Sequence, residues 1–338
     1  MKILCAYNLY YYGTENLNSS YYFFTETFLQ MDHDVQTMDF KGLKKKGGAR
    51  LVSKILLSYI FSYKPDILFV VPCRGEIPKK ILKFIKNFTN TTVIAWNSDD
   101  DRRWDDYSKK YADAYDYMIT TYENIYKKAK EQGYKNILLS QWACNPKRNR
   151  KLETEKKFDL SFIGVAYGDR MDYIKKLINE GFNVKFGGLE WEKYLDIKKT
   201  DFSQEDMLLI TNQSKIAIVF SKGIDGKKQI KARVFETPAH GVCTFIEHFD
   251  GIEKYYKDNE DIVIFQNSTE LIEKARYYLE NEEEREKIAQ TGRKKVLENY
   301  TYELRFEKLF DQINFNKKIN IITKLFGKAV YKTMCIFF

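Results

Sequence analysis

Apolar runs and amphipathic helices alternate almost from end to end of this 338-residue chain, and that alternation most restricts its fold. Asp66–Val71 (DILFVV) is a continuous apolar run of the kind parallel strands show when both faces are buried. Around it the spacing predicts strands over Lys2–Tyr7, Val35–Phe40, Thr92–Trp96, Tyr117–Thr121 and Ile137–Leu139. Helices are predicted over Asn18–Met31, Leu51–Phe61, Ile77–Asn87 and Ile125–Gln132. Asn145–Lys157 (NPKRNRKLETEKK) is polar and has no apolar period, so it reads as a linker. The alternation then restarts, with strands at Asp159–Ile163, Val184–Phe186, Ile216–Phe220, Val242–Ile246 and Ile262–Phe265. Its helices are Met171–Glu180, Gln204–Asn212, Thr269–Leu279 and Glu282–Leu297. Single cores stop growing at roughly 250–300 residues, so the length also favours two domains. The expected architecture is α/β: two doubly wound domains facing each other across a cleft. Their bounds are 1–148 and 158–300, joined by 149–157, with a further helix and a basic tail over 301–338.

Composition excludes several classes. The formal charge is +9, from 56 Lys and Arg against 47 Asp and Glu, but acids are interleaved along the chain. That speaks against nucleic acid as the partner and for a solvated surface or a phosphate-bearing ligand. Five scattered cysteines with no CxxC or Cys/His spacing predict neither a metal site nor a disulfide framework. A reduced, cytoplasmic protein is expected. The chain opens directly on a strand (KILCAY) rather than a signal-peptide layout, and no apolar run reaches the ~20 residues that span a bilayer.

The segment Lys231–Gly241 (KARVFETPAHG) lies between two strand-like runs and reads as a short helix that begins in cations and ends at Gly241. In an open α/β sheet such a junction lies at the carboxyl edge, where ligands bind. Lys231 and Arg233 at the helix start would suit a phosphate, and Glu236 one turn on would accept both hydroxyls of a ribose. Phosphate plus ribose means a nucleotide; the alternative is a solvated helix start. Gly164–Arg170 (GVAYGDR) also joins a strand to a helix: Gly164 would admit a phosphate to the backbone and Arg170 would add a cation, or the loop is only a tight turn. Asp99, Asp100 and Asp101 end a strand, where they would cap a helix or chelate a divalent cation beside a sugar nucleotide.

The run RVFETPAHGVCTFIEHFDGIEKYYKDNEDIVIF, with the later EEEREKIAQTGRKKVLENYTYELR, resembles the C-terminal domain of family 4 type glycosyltransferases, in particular the spore-maturation CgeB-like subgroup. NSDDDRRWDDYSKKYADAYDYMITT, NILLSQWACNP and DLSFIGVAYGDR are similar to that subgroup's run across the domain junction. The resemblance implies a GT-B fold of two Rossmann-like domains, with the donor on the C-terminal one and the acceptor on the N-terminal one. It implies a hexosyltransferase that moves a sugar from a nucleotide-diphosphate donor to an acceptor hydroxyl on a glycan, lipid-linked molecule or protein. Retention, independence of metal and the absence of any cofactor beyond the nucleotide-sugar co-substrate come from the same source. So does a closing helix after residue 301. By this likeness Glu236 holds the ribose, Lys231 and Arg233 the pyrophosphate, and Gly188 and Leu189 line the base, with Gly164, Arg170 and Gly241 also on the donor side. Asp100 is the expected acceptor-side base, with Asp99 and Arg74 near the acceptor. One departure stands out: the family's second Glu, eight residues before Glu236, is here Lys228. Two rivals therefore stay open, a metal-dependent sugar-nucleotide enzyme using Asp99–Asp101 and a non-catalytic binding protein on the same fold.

The tail, residues 317–338, holds five Lys and no acid, with Ile322, Leu325, Phe326, Ala329 and Val330 on one helical face. It would lie on an anionic membrane at the inner face, or dock on its own N-terminal domain.

Overall fold

The computed structural model describes residues 1–11, 15–73, 75–193, 202–223, 225–315 and 319–337. The chain forms two compact units, Met1–Gln141 with Tyr302–Phe338, and Trp142–Thr301.

The first unit is built on β1 (Lys2–Tyr7), β2 (Asp34–Asp39), β3 (Ile67–Val70), β4 (Thr92–Asn97), β5 (Tyr117–Thr120) and β6 (Ile137–Leu139). All pair in parallel, in the order β2-β1-β3-β4-β5-β6. The connections carry α1 (Glu26–Gln30), α2 (Phe40–Ser62), α3 (Lys79–Phe88), α4 (Asp100–Arg103), α5 (Lys109–Tyr111) and α6 (Glu123–Glu131). Every residue of β3 and β4 is buried, as the unbroken apolar runs required. α2 starts eleven residues before the predicted Leu51, because the lysine-rich stretch is also helical; Gly47 and Gly48 (φ 64°) break it into two pieces.

The second unit repeats the scheme with β7 (Phe158–Ile163), α7 (Arg170–Asn179), β8 (Val184–Gly187), α8 (Gln204–Asn212), β9 (Ser214–Val219), α9 (Arg233–Ala239), β10 (Cys243–Glu247), β11 (Val263–Phe265), α10 (Ser268–Glu280) and α11 (Glu282–Asn299). Its sheet is parallel, in the order β11-β10-β9-β7-β8. One face buries Leu160, Ile216, Phe245 and Trp191 with Leu271 and Ala275 of α10. The other packs Val219 and Ile246 against Val234 and Phe235 of α9 and Val296 of α11. At the α11 crossing Gly292 lets the backbone approach, since a Cβ there would lie 2.1 Å from the Asp261 carbonyl oxygen.

The stretch 149–157, predicted as a linker, lies wholly inside the second unit. Its polar groups are spent on that unit: Leu152 N donates to Asn212 Oδ1 (2.8 Å), and Lys156 Nζ to the carbonyls of Asn212 and Ser214 (both 2.9 Å). A polar sequence without period can be ordered by hydrogen bonds instead of apolar burial, which a search for apolar period does not detect.

After Thr301 the chain rejoins the first unit through α12 (Tyr302–Phe310) and α13 (Ile321–Phe337). Phe306 of α12 enters an aromatic core with Phe28 (4.4 Å between centroids), Phe69 (5.8 Å) and Trp96 (6.0 Å). α13 docks through Gly327, where a Cβ would lie 2.9 Å from Phe88 Cβ, and through Tyr331 stacked on Phe61 at 4.2 Å.

Candidate nucleotide site at a strand switch point

In the second sheet the chain leaves β7 for β8 on one side and later returns to β9 on the other. The carboxyl ends of β7 and β9 therefore splay their following loops apart, which is where open α/β sheets bind ligands. A cavity of about 170 Å³ opens there, lined by Gly164, Val165, Tyr167, Arg170, Lys231 and Arg233 among others.

Its floor is a close approach of two loops. Gly164 N donates to the Gly187 carbonyl (2.9 Å) and Ala166 N to that of Leu189 (3.0 Å), continuing the β7–β8 pairing beyond the strands. Trp191, fully buried, donates its indole N–H to the Gly164 carbonyl (2.8 Å). Gly188 sits at φ 125°, and a Cβ there would lie 2.5 Å from that same carbonyl oxygen, so only glycine fits. Leu189 beside it is 45% exposed.

The cations are already organised. Arg170, 5% exposed at the start of α7, donates to the carbonyls of Val165 (2.9 Å) and Lys222 (3.1 Å) and to Tyr167 Oη (2.9 Å). Its guanidinium lies 3.8 Å from the centre of the Tyr167 ring. Burial lowers its pKa. Lys231 Nζ reaches the same phenol oxygen (3.0 Å) and also the Lys222 carbonyl. One phenol oxygen thus accepts from two cations, much as an anion's oxygen would.

The loop supplying that carbonyl is held by Glu247, the last residue of β10 and 1% exposed. Its Oε2 accepts from Ser221 N (2.9 Å), Ser221 Oγ (3.1 Å) and Lys222 N (3.2 Å). Lys228, the residue at the family's Glu position, lies 3.5 Å from Glu247 Oε1. The side chain of Lys222 itself pairs with Asp169, which raises its pKa.

The predicted donor residues therefore divide. Gly164, Arg170, Lys231 and Arg233 line the cavity. Glu236 does not line it: the carboxylate is 7% exposed and lies 3.3 Å from Arg233 Nε. Burial raises its pKa and Arg233 lowers it, with burial the larger effect. Arg233 also donates to Met207 Sδ (3.0 Å), so its guanidinium is shared between α9 and α8 rather than left to a phosphate. Gly241 ends α9 at φ 68°, against Arg293 and Lys151 at the opposite end of the helix from the cavity. Its role there is the left-handed turn that closes the helix. Tyr167, Lys222 and Glu247 were not singled out from the sequence. An isolated Tyr, Lys or Glu has no spacing to mark it, and only strand order brings these three loops together.

In the first unit the three aspartates do not converge. Asp100 is completely buried, and its carboxylate accepts from Ser108 Oγ. Burial raises its pKa from 3.8 to about 7, against the lowering effect of the Ser108 and Thr120 hydroxyls. The sequence puts a base facing an acceptor at Asp100; the structure turns this side chain inward, with its hydrogen bond made inside the unit. Asp99, with its side chain 35% exposed, is the most open of the three and lies 3.4 Å from Arg102 and 3.3 Å from Arg103. Asp101 lies 3.9 Å from Arg102 Nε. Among the described residues no three acidic, His or Cys side chains come together as a metal site. Arg74 lies outside the described residues.

Residues 170–311 match the glycosyl transferase-like family. The spore protein CgeB of Bacillus subtilis (strain 168) is 22% identical over 266 residues, 73% of this chain and 82% of that protein. Among solved structures, a glycosyltransferase from Rickettsia africae ESF-5 superposes with a TM-score of 0.62 at 12% identity, covering 99% of this chain and 98% of that one. Anabaena HepE in complex with UDP does so at 0.55 and 10% identity, covering 93% and 100%. With two parallel sheets of this topology, the chain has the GT-B fold of these glycosyltransferases, and it is similar in sequence to the glycosyl transferase-like family over residues 170–311 and to CgeB over most of its length.

Proposed function

We propose that this protein transfers a sugar from a nucleoside-diphosphate sugar to an acceptor hydroxyl, with the diphosphate seated at the β7/β9 switch point. The observation that carries this is the pair Arg170 and Lys231, both bonded to Tyr167 Oη within the cavity. Arriving phosphate oxygens would take over the place of the phenol oxygen. The leaving group gains negative charge as the glycosidic bond breaks, and cations fixed beforehand stabilise it without reorganisation. HepE, which has the same fold, is seen in complex with UDP, and this supports a nucleotide as the ligand here.

Glu236 is the proposed ribose acceptor, once the nucleotide draws Arg233 toward its phosphates. On the acceptor side the proposed base is Asp99, two residues past the end of β4 and the most open of the three aspartates, which an arriving acceptor would have to draw away from Arg102 and Arg103. The chemistry is proposed to need no divalent metal, since side-chain cations supply the charge; retained turnover in EDTA would support this. Retention at the anomeric carbon is proposed on the resemblance alone, and Lys228 in place of a Glu is the residue that weighs against it. The inner face of the membrane is the proposed workplace; the free thiols of Cys5, Cys73, Cys144 and Cys243 suit a reducing compartment.

One observation favours a binding protein instead: Glu247 and Glu236 are each paired with a cation, Lys228 and Arg233. A thermal-shift series with UDP-, GDP-, ADP- and CMP-sugars separates the readings when joined to a turnover assay. The enzyme reading expects one donor to raise the melting temperature and to release its nucleotide in the presence of an acceptor. Stabilisation with no release across acceptor classes would leave only the binding role.

A further inference from the structure

α13 is docked by one face and open on another. Gly327 and Tyr331, one turn apart, rest on Phe88 and Phe61. Ile319 N donates to Asn90 Oδ1 (3.4 Å) just before the helix begins. Leu325 and Phe326 point away, 60% and 58% exposed, and they are the two most exposed large apolar side chains among the described residues. Among the described residues Phe326 meets the edge of this docking site at the Phe88 ring, 5.6 Å away. Lys328 beside them is exposed and Lys324 half-buried, and the whole stretch 317–338 carries five Lys without an acid. On α3, against which α13 packs, Lys80 is exposed as well.

An adjacent Leu–Phe pair in water is unfavourable unless something covers it, and a helix that carries lysines and no acid beside the pair selects what can. A second copy of this chain would bring the same lysines face to face. An anionic bilayer satisfies both features, taking the apolar pair at its acyl boundary and the ammonium groups at its headgroups. No helix among the described residues is long and apolar enough to cross a membrane, so such a helix would lie along the surface.

We propose that the outer face of α13 is a reversible docking surface for anionic lipid, and that its inner face fixes the first unit to that surface. The two fates open to a basic amphipathic tail, membrane binding and docking on its own domain, are then two faces of one helix.

The test is flotation of the full-length protein with vesicles of phosphatidylcholine alone and with about a third phosphatidylglycerol. Binding is expected only to the anionic vesicles and should weaken as salt rises. The double variant Leu325→Ser/Phe326→Ser should lose most of the bound fraction. Lys324→Glu/Lys328→Glu should lower partitioning by roughly fivefold or more for each charge reversed. Both variants change exposed or half-exposed positions, and an unchanged melting temperature confirms that each is folded. Equal binding to neutral vesicles, no binding to anionic ones, or wild-type binding by the Leu325/Phe326 variant would overturn the proposal. A concentration-dependent dimer in sedimentation that the same variant abolishes would overturn it too, and would assign the face to self-association.

Discussion

The carboxyl edges of the two sheets carry opposite charge and treat it in opposite ways. At the β7/β9 edge two cations share one phenol oxygen and one backbone carbonyl at the wall of an open cavity. At the β4 edge three consecutive aspartates diverge: Asp100 turns inward to Ser108, while Asp99 and Asp101 are drawn to arginines. The first arrangement holds charge ready for a ligand. The second consumes most of its charge inside the unit. A run of acids in a sequence is thus weaker evidence for a site than cations gathered from separate loops.

That contrast breaks most visibly at Asp100. Its folded pKa, about 7, is raised from 3.8, so the folded state holds a proton that the unfolded chain has lost. The stability it contributes is complete below about pH 4 and disappears as pH rises toward 7. Across that window the loss is at most about 4 kcal/mol. Asp100→Asn keeps an acceptor for Ser108 and cannot ionise, so it should flatten the pH–stability curve and unfold later than wild type at pH 8. Chemical denaturation at pH 5 and pH 8 measures this. Unchanged stability with abolished turnover would instead restore Asp100 as the base and collapse the contrast.

The cationic edge is tested by Lys231→Ala, which removes one of the two groups on Tyr167. A lost preorganised contact to the leaving group should lower kcat/KM by about 100-fold. The Arg170 contacts should survive, and with them the melting temperature to within a few degrees. Wild-type kinetics in this variant would end the claim that the edge is poised for a diphosphate. A smaller effect is expected at the floor of the crevice. Gly188→Ala forces a Cβ against the Gly164 carbonyl at a φ of 125° and should cost about 2 kcal/mol. Urea unfolding would read the loss, and a cost below half a kilocalorie would mean that the two loops are not locked together.

Several features were legible in advance because they depend on local chemistry. Continuous apolar runs marked β3, β4 and β9, and Lys231, Arg233, Gly164 and Arg170 were placed at strand-to-helix junctions by pattern alone. The polar stretch 149–157 misled because its order rests on hydrogen bonds to Asn212 and Ser214, some sixty residues away in sequence. Gly241 was grouped with the donor residues because it ends the same helix, yet it lies at the opposite end of α9 from the cavity. Glu247 left no local signal: a strand-ending Glu is ordinary until its oxygen is seen holding the backbone of Ser221 and Lys222.

The sequence by itself determined that the chain would form parallel sheets with helices between the strands, and which strand ends would carry cations. Periodicity and burial act over neighbouring residues, and a linear pattern records them. Only the tertiary structure decided which charges face a cavity and which are neutralised. It set Arg170 and Lys231 on Tyr167, turned Asp100 to Ser108, and left Leu325 and Phe326 uncovered on a helix whose other face is docked. Those outcomes depend on strand order and on contacts between distant loops, where desolvation and hydrogen bonding depend on neighbours that no local spacing specifies.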